Sequence, residues 1–110
     1  VNIVSINANE LEWQPALTYP GKAEEKVLSG GGSIVPRTIL LRIPSGWSMG
    51  RHSHRHTEVH YVLDGEYQSD NQTYGKGTFR MIPATVEHGP FGTENGATIL
   101  VIWCRTPDEN

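Results

Sequence analysis

Turn-forming clusters punctuate this chain at short, even intervals and leave little room for a helix of ordinary length. Pro44-Ser45-Gly46, Asp64-Gly65, Asp70-Asn71, Gly75-Lys76-Gly77 and Asn95-Gly96 each interrupt a strand-like run. Asp-Gly and Asn-Gly suit the left-handed backbone of tight hairpins, and runs bounded this way every eight to twelve residues or so mark an all-β sandwich or barrel. The pattern predicts strands near 2–6, 24–29, 37–43, 50–55, 58–63, 66–69, 78–82, 87–91 and 97–104. Asn9-Glu10-Leu11-Glu12 is the place for a single helical turn. Leu28-Ser29-Gly30-Gly31-Gly32-Ser33 reads as a flexible loop ahead of the barrel, because what precedes it is too short to fold alone.

A chain of 110 residues supports one hydrophobic core. The expected organisation is a single domain over 1–110, with N-terminal strands and a loop over 1–36 and the barrel over 37–104. Nine Lys and Arg stand against 12 Asp and Glu, for a net charge of -3, and the only basic cluster is Arg51 and Arg55 beside the histidines. Nucleic acid and anionic membranes are therefore excluded as expected partners. The single cysteine, Cys104, rules out an internal disulfide and fits a reducing compartment. Val1 to Glu10 carries no signal-peptide pattern and no apolar run is long enough to span a membrane, so a cytoplasmic location is expected.

Four of the five histidines fall in His52-Ser53-His54-Arg55-His56-Thr57-Glu58-Val59-His60, and the fifth, His88, lies well downstream. Imidazole and carboxylate donors suit Fe, Mn, Ni, Cu or Zn once a fold converges them. On a strand, alternate side chains share a face, so His52 and His54 would point together. A reversal at Arg55-His56-Thr57 would bring Glu58 and His60 back on the same side. The competing account is a solvated polar strand face.

The spacing Gly46-x5-His52-x-His54-x3-Glu58-x6-Gly65, followed by Gly77-x5-Pro83 and His88, resembles the two conserved motifs of the cupin superfamily. Leu40-Leu41-Arg42-Ile43-Pro44-Ser45-Gly46, Tyr61-Val62-Leu63-Asp64-Gly65-Glu66-Tyr67 and His88-Gly89-Pro90 are similar to the ChrR-like members. The likeness covers 38–103 and departs from the pattern at Thr85 and Gly92, where Gly and Asn are usual; neither is a ligand position.

The resemblance implies a double-stranded β-helix, the cupin or jelly-roll barrel. It implies that His52, His54, Glu58 and His88 hold one divalent transition-metal ion, iron first, with Zn, Mn, Ni or Cu as alternatives. Four such ligands leave two positions of an octahedral shell open for chemistry. The ChrR-like group includes the metal-binding domain of some anti-sigma factors and free-standing dioxygenases that cleave small ketones and diketones. The implied function is thus a non-haem iron dioxygenase acting on a small ketone, diketone or other enolisable molecule. Two alternatives stand beside it: a redox-neutral Zn or Mn isomerase, lyase or cyclase, and a non-catalytic sensor of metal or ligand.

His60 is expected to face inward as a catalytic acid/base or substrate-orienting group, with a buried structural role or direct ligation as alternatives. His56 is placed at the hairpin tip or barrel mouth and is not a ligand. Arg42 and Arg80 are expected to form outward salt bridges, with clamping of a carboxylate or enolate as the alternative. Trp47, Tyr61, Phe79 and Trp103 are assigned to core or interface, any of them available to line a pocket. The partners expected are a small-molecule substrate and a second copy of the chain, because a short barrel has edge strands that a segment such as 2–29 can cover, on its own barrel or a partner's.

Overall fold

The computed structural model describes residues 2–32 and 35–104. Nine strands account for about half of it: β1 Gln14–Pro15, β2 Glu24–Ser29, β3 Arg37–Ile43, β4 Ser48–Met49, β5 Thr57–Ser69, β6 Gln72–Gly75, β7 Phe79–Ile82, β8 Phe91–Gly92 and β9 Ala97–Cys104. Among the described residues the helical content is one 3-10 turn, Ala8–Glu10, and no helix is long and apolar enough to cross a membrane. The strands pair antiparallel in the order β1-β2-β3-β9-β5, with β7 on the other edge of the first half of β5. The second half of β5 pairs instead with β6 and β8, and β8 carries β4. One strand therefore runs through both sheets and curls them into the double-stranded β-helix that the sequence implied.

Alternation builds the core. Ile39, Leu41 and Ile43 of β3 and Ala97, Ile99 and Val101 of β9 turn inward and are buried, as alternate residues of a half-buried sheet must be. Glu58, His60 and Val62 of β5 share that inner face. Trp47, Tyr67 and Phe91 fill the space between the sheets, and the Trp47 indole donates to Pro20 O at 2.8 Å.

The sequence places a turn at Asp64-Gly65, but β5 does not reverse there. An extra residue between Val62 and Asp64 shifts the register against β9 and is absorbed as a bulge. Gly65 sits beside it at φ +72, where a Cβ would stand 2.1 Å from Gly96 O. The expected strands 58–63 and 66–69 are consequently one strand. The bulge also changes parity: even-numbered residues face inward before it, and Tyr67 and Ser69 face inward after it. Asp70-Asn71, in contrast, is the expected tight hairpin, with both residues at positive φ, 53 and 66.

Three further expectations need correction. Residues 2–6 form no strand; Ile3 and Val4 stand 94% and 76% exposed. Residues 50–55 and 87–91 do not pair as strands, and what joins them is the isolated bridge between His52 and His88. The ladder stops because Pro90 has no N–H to contribute, Gly89 N turns to Asp70 Oδ2 at 3.4 Å, and His54 O accepts from Thr85 N at 2.7 Å.

Candidate metal centre

The bridge that ends the ladder joins the two histidine segments. His52 N donates to His88 O at 3.0 Å and His88 N to His52 O at 2.9 Å, which brings their rings to 4.4 Å between centroids. The His52 Nδ1–H donates to Gly50 O at 3.0 Å, so the proton is on Nδ1 and Nε2 keeps its lone pair, the arrangement a metal-binding histidine uses. His54 stands two residues on, its ring 4.6 Å from that of His52 and 5.1 Å from that of His88. Its main chain is fixed by Thr85, a β-branched residue held at φ +65, a region that favours glycine. Glu58 comes from the start of β5 and is 2% exposed.

The ligand atoms of His52, His54 and His88 lie within 4.8 Å of one another. Buried His54 Nε2, Glu58 Oε2 and both ring nitrogens of His88 have no hydrogen-bond partner. Leaving such a group unsatisfied costs about 1–3 kcal/mol, so one atom from each of these three residues, gathered in one spot, calls for a shared partner. His54 Nε2 and Glu58 Oε2 are 2.7 Å apart but are not aligned as donor and acceptor. Two lone pairs directed at a common cation stand in this relation, since neighbouring donors around an ion with bonds of about 2.1 Å lie roughly 3 Å apart. The three histidines can form a metal site, and the chemistry of the donor set fits a divalent transition metal.

Charge states agree with that fit. Burial pushes the Glu58 carboxyl upward, but its contacts with His54 and His60 outweigh burial and hold it at about 2. Burial pushes His88 down, and its neighbours His52 and His54 add to the effect, to about 4. Near neutral pH the carboxylate is charged and His88 neutral, which is what ligation requires.

A cavity of about 800 Å³ opens over His52 and His54, walled by Tyr19, Met49, Arg37, Arg51, His56, Trp103 and the Gly30–Gly32 loop. Its lining is mainly apolar. Arg37 is held by Glu25 at 3.5 Å and lies over the Trp103 ring. Arg51 is held by Glu87 at 2.8 Å and by Gly89 O at 2.7 Å.

His60 lies elsewhere. It is 6% exposed and borders a small inner void shared with Glu58, with Nδ1 against Tyr67 Oη at 2.7 Å and Nε2 against Glu58 Oε1. Arg42 points outward to Glu24 at 2.7 Å, as expected. Arg80 forms an ion pair too, with Asp70 Oδ2 at 3.9 Å, but from an inward-turned side chain: paired with His60 across β5 and β7, it donates to Tyr67 Oη at 3.2 Å and lies 4.1 Å from the Tyr74 ring centre. Trp47 is core and Trp103 lines the cavity, whereas Tyr61 and Phe79 lie exposed on the outer face. Sequence reasoning missed Tyr19, Met49 and Tyr67. Tyr67 had a signal only for a reader who placed the bulge, since it is seven residues from His60 and would otherwise face outward.

Comparison with known proteins adds the following. The family described as ChrR Cupin-like domain matches residues 2–105. The anti-sigma-E factor ChrR of Cereibacter sphaeroides is 30% identical over 81 residues, which are 74% of this chain and 36% of that protein. This chain thus spans about a third of the length of that relative. A candidate acetylacetone dioxygenase of Methylibium petroleiphilum superposes with TM-score 0.81 at 14% identity, covering 100% of this chain and 85% of the other. The polyketide cyclase RemF of Streptomyces resistomycificus does so with TM-score 0.76 at 20% identity, covering 96% and 82%. At these identities the two structures speak for the fold alone.

Proposed function

Since the chain belongs to the ChrR cupin-like domain family, we propose that it is a metal-dependent cupin enzyme, a non-haem iron dioxygenase acting on a small, neutral, enolisable ketone or diketone. The observation that carries this reading is the convergence of unpartnered buried donors from His54, Glu58 and His88 beneath a cavity of substrate size. In the proposal His52, His54, Glu58 and His88 hold one divalent ion. When bound, that ion supplies Lewis acidity toward a ketone oxygen and, if redox-active, electrons for O₂ chemistry.

The residues of the chain do the rest. Tyr19, Met49 and Trp103 line the cavity and exclude water from a bound ketone. The two cavity arginines are engaged by Glu25 and Glu87, which favours a neutral substrate over a carboxylate-bearing one. Glu58 Oε2 faces His54 Nε2 at 2.7 Å. His60 stands behind the carboxylate, so its part in proton transfer is exerted through Glu58 and not on the substrate directly.

Iron-loaded protein should consume O₂ with an enolisable aryl ketone or β-diketone, and zinc-loaded protein should not. Turnover with Zn or Mn and no O₂ uptake would replace this reading with a redox-neutral isomerase, lyase or cyclase.

One observation favours a second reading. The match to an anti-sigma factor supports a sensor module that binds metal or ligand without turnover, in which case every metal form would be inert with every substrate.

The partner we propose for the outer sheet face is a second copy of the chain. Tyr61 pairs with Phe79 on one side and Leu100 on the other, and Val59 with Met81 and Ile102. Phe79 and Met81 are 64% and 56% exposed. In the N-terminal segment Ile3 and Val4 are exposed, and an apolar segment and an apolar face on one chain can each meet the other's copy under two-fold symmetry.

A further inference from the structure

Behind the histidine cluster runs a buried chain of hydrogen bonds, Arg80 to Tyr67 to His60 to Glu58. Its direction is set by its first member. Guanidinium can only donate, so the 3.2 Å contact from Arg80 Nη1 makes Tyr67 Oη an acceptor there. The one phenolic proton of Tyr67 is then directed at His60 Nδ1, 2.7 Å away. With Nδ1 accepting, the proton of a neutral His60 is on Nε2, the nitrogen that meets Glu58 Oε1. Every step has one polarity. Burial makes the order strict, because Tyr67, His60 and Glu58 are 1%, 6% and 2% exposed and water offers no alternative partner.

We infer that Tyr67 and Arg80 are positioning residues for the metal carboxylate: they fix the tautomer of His60, which binds one oxygen of Glu58 and leaves only Oε2 toward the histidine cluster. Glu58 is thereby confined to ligation through a single oxygen, and the ring of His60 is turned away from ligation. The opposite tautomer of His60 would set a nitrogen lone pair against Oε1, and the carboxylate would have to swing. Arg80 is placed for this by the direct β5–β7 pairing of His60 with Arg80 and by its stacking on Tyr74 at 4.1 Å. Tyr67 is placed by the bulge, which brings an odd-numbered residue onto the face of His60.

The inference rests on the metal-site reading, yet the two can fail separately. Imidazole nitrogen shifts of metal-free, ¹⁵N-labelled protein at fixed neutral pH report the tautomer without any ion. Wild type should show His60 protonated at Nε2 and bare at Nδ1. Tyr67→Phe, folded by circular dichroism, should lose that bias and bind Co(II) more weakly by roughly 10- to 100-fold, the usual loss when a partner of a ligand is removed. Arg80→Met should act in the same direction, and it serves if Tyr67→Phe does not fold. Arg80→Lys, which also only donates, should restore the wild-type tautomer, a rescue that a merely space-filling role would not produce. A wild-type His60 carrying its proton on Nδ1 would overturn the inference, as would folded Tyr67→Phe and Arg80→Met proteins with unchanged tautomer and Co(II) affinity. A wild-type protein that takes up no metal while His60 keeps the Nε2 proton would instead defeat the metal-site reading and leave the chain of hydrogen bonds standing.

Discussion

His52 and His88 exchange both main-chain hydrogen bonds of a single antiparallel bridge, at 3.0 and 2.9 Å. Residues 36 positions apart are therefore held by backbone, before any ion is considered, with their rings 4.4 Å apart. A preformed site of this kind loses affinity through lost donors and not through lost folding. His54→Ala and His88→Ala should fold and bind metal at least about 100-fold more weakly, more than the loss typical of outer partners. Elemental analysis of protein purified without chelator decides this, and full metal content in both variants would overturn the ligand assignment.

Acid should weaken the metal-free protein in two stages. His88 titrates at about 4 when folded, below its ordinary 6.5, so the unfolded chain takes up that proton first. Its contribution is complete above about pH 6.5 and is lost as pH falls toward 4. Glu58, held at about 2 against an ordinary 4.5, contributes above pH 4.5 and is lost as pH falls toward 2. Urea midpoints should decline from pH 7 to 4 in wild type and decline less in His88→Gln. Bound metal should leave as pH falls toward about 4, where folded His88 takes up the competing proton.

Association should depend on the N-terminal arm and the outer face together. Sedimentation of the wild type at micromolar concentration should give a dimer, and deleting residues 1–12 or making Phe79→Lys should shift it toward monomer. A monomeric wild type would remove a second copy as the partner of that face.

Two backbone positions should respond in opposite senses. At Gly65 an added Cβ meets Gly96 O at 2.1 Å, an overlap only backbone movement can relieve, so Gly65→Ala should cost about 2–4 kcal/mol. Thr85 occupies φ +65, a conformation that costs a β-branched residue about 1–3 kcal/mol. Thr85→Gly should stabilise the protein by about 1 kcal/mol after the added freedom of the unfolded glycine is counted. Chemical denaturation measures both, and a destabilised Thr85→Gly would show that the threonine side chain does more there than fill a strained position.

Period-two patterning and turn dipeptides made β3 and β9 readable, since each buries alternate apolar residues. The bulge in β5 was not readable, because Asp64-Gly65 looks the same whether the chain reverses or only kinks. The histidines were legible as a group, but for a reason that differs from the expected one: His52 and His54 are presented from a segment outside the strands, not along a strand face. Tyr67 and Arg80 stayed hidden because their roles depend on parity after the bulge and on cross-strand register, and neither is local in the sequence. The cavity walls, drawn from Tyr19, Met49 and Trp103, depend wholly on tertiary packing.

The placement of β9 between β3 and β5 constrains the birth of the molecule as well as its form. Neither β3 nor β5 has its inner neighbour until residues 97–104 have been synthesised and have cleared the ribosome. The barrel therefore closes late, by long-range pairing, and until then a nascent chain carries two unpaired apolar edges together with all five of its histidines. Stalled or truncated translation products ending before Ala97 should be the aggregation-prone species in a cell making this protein.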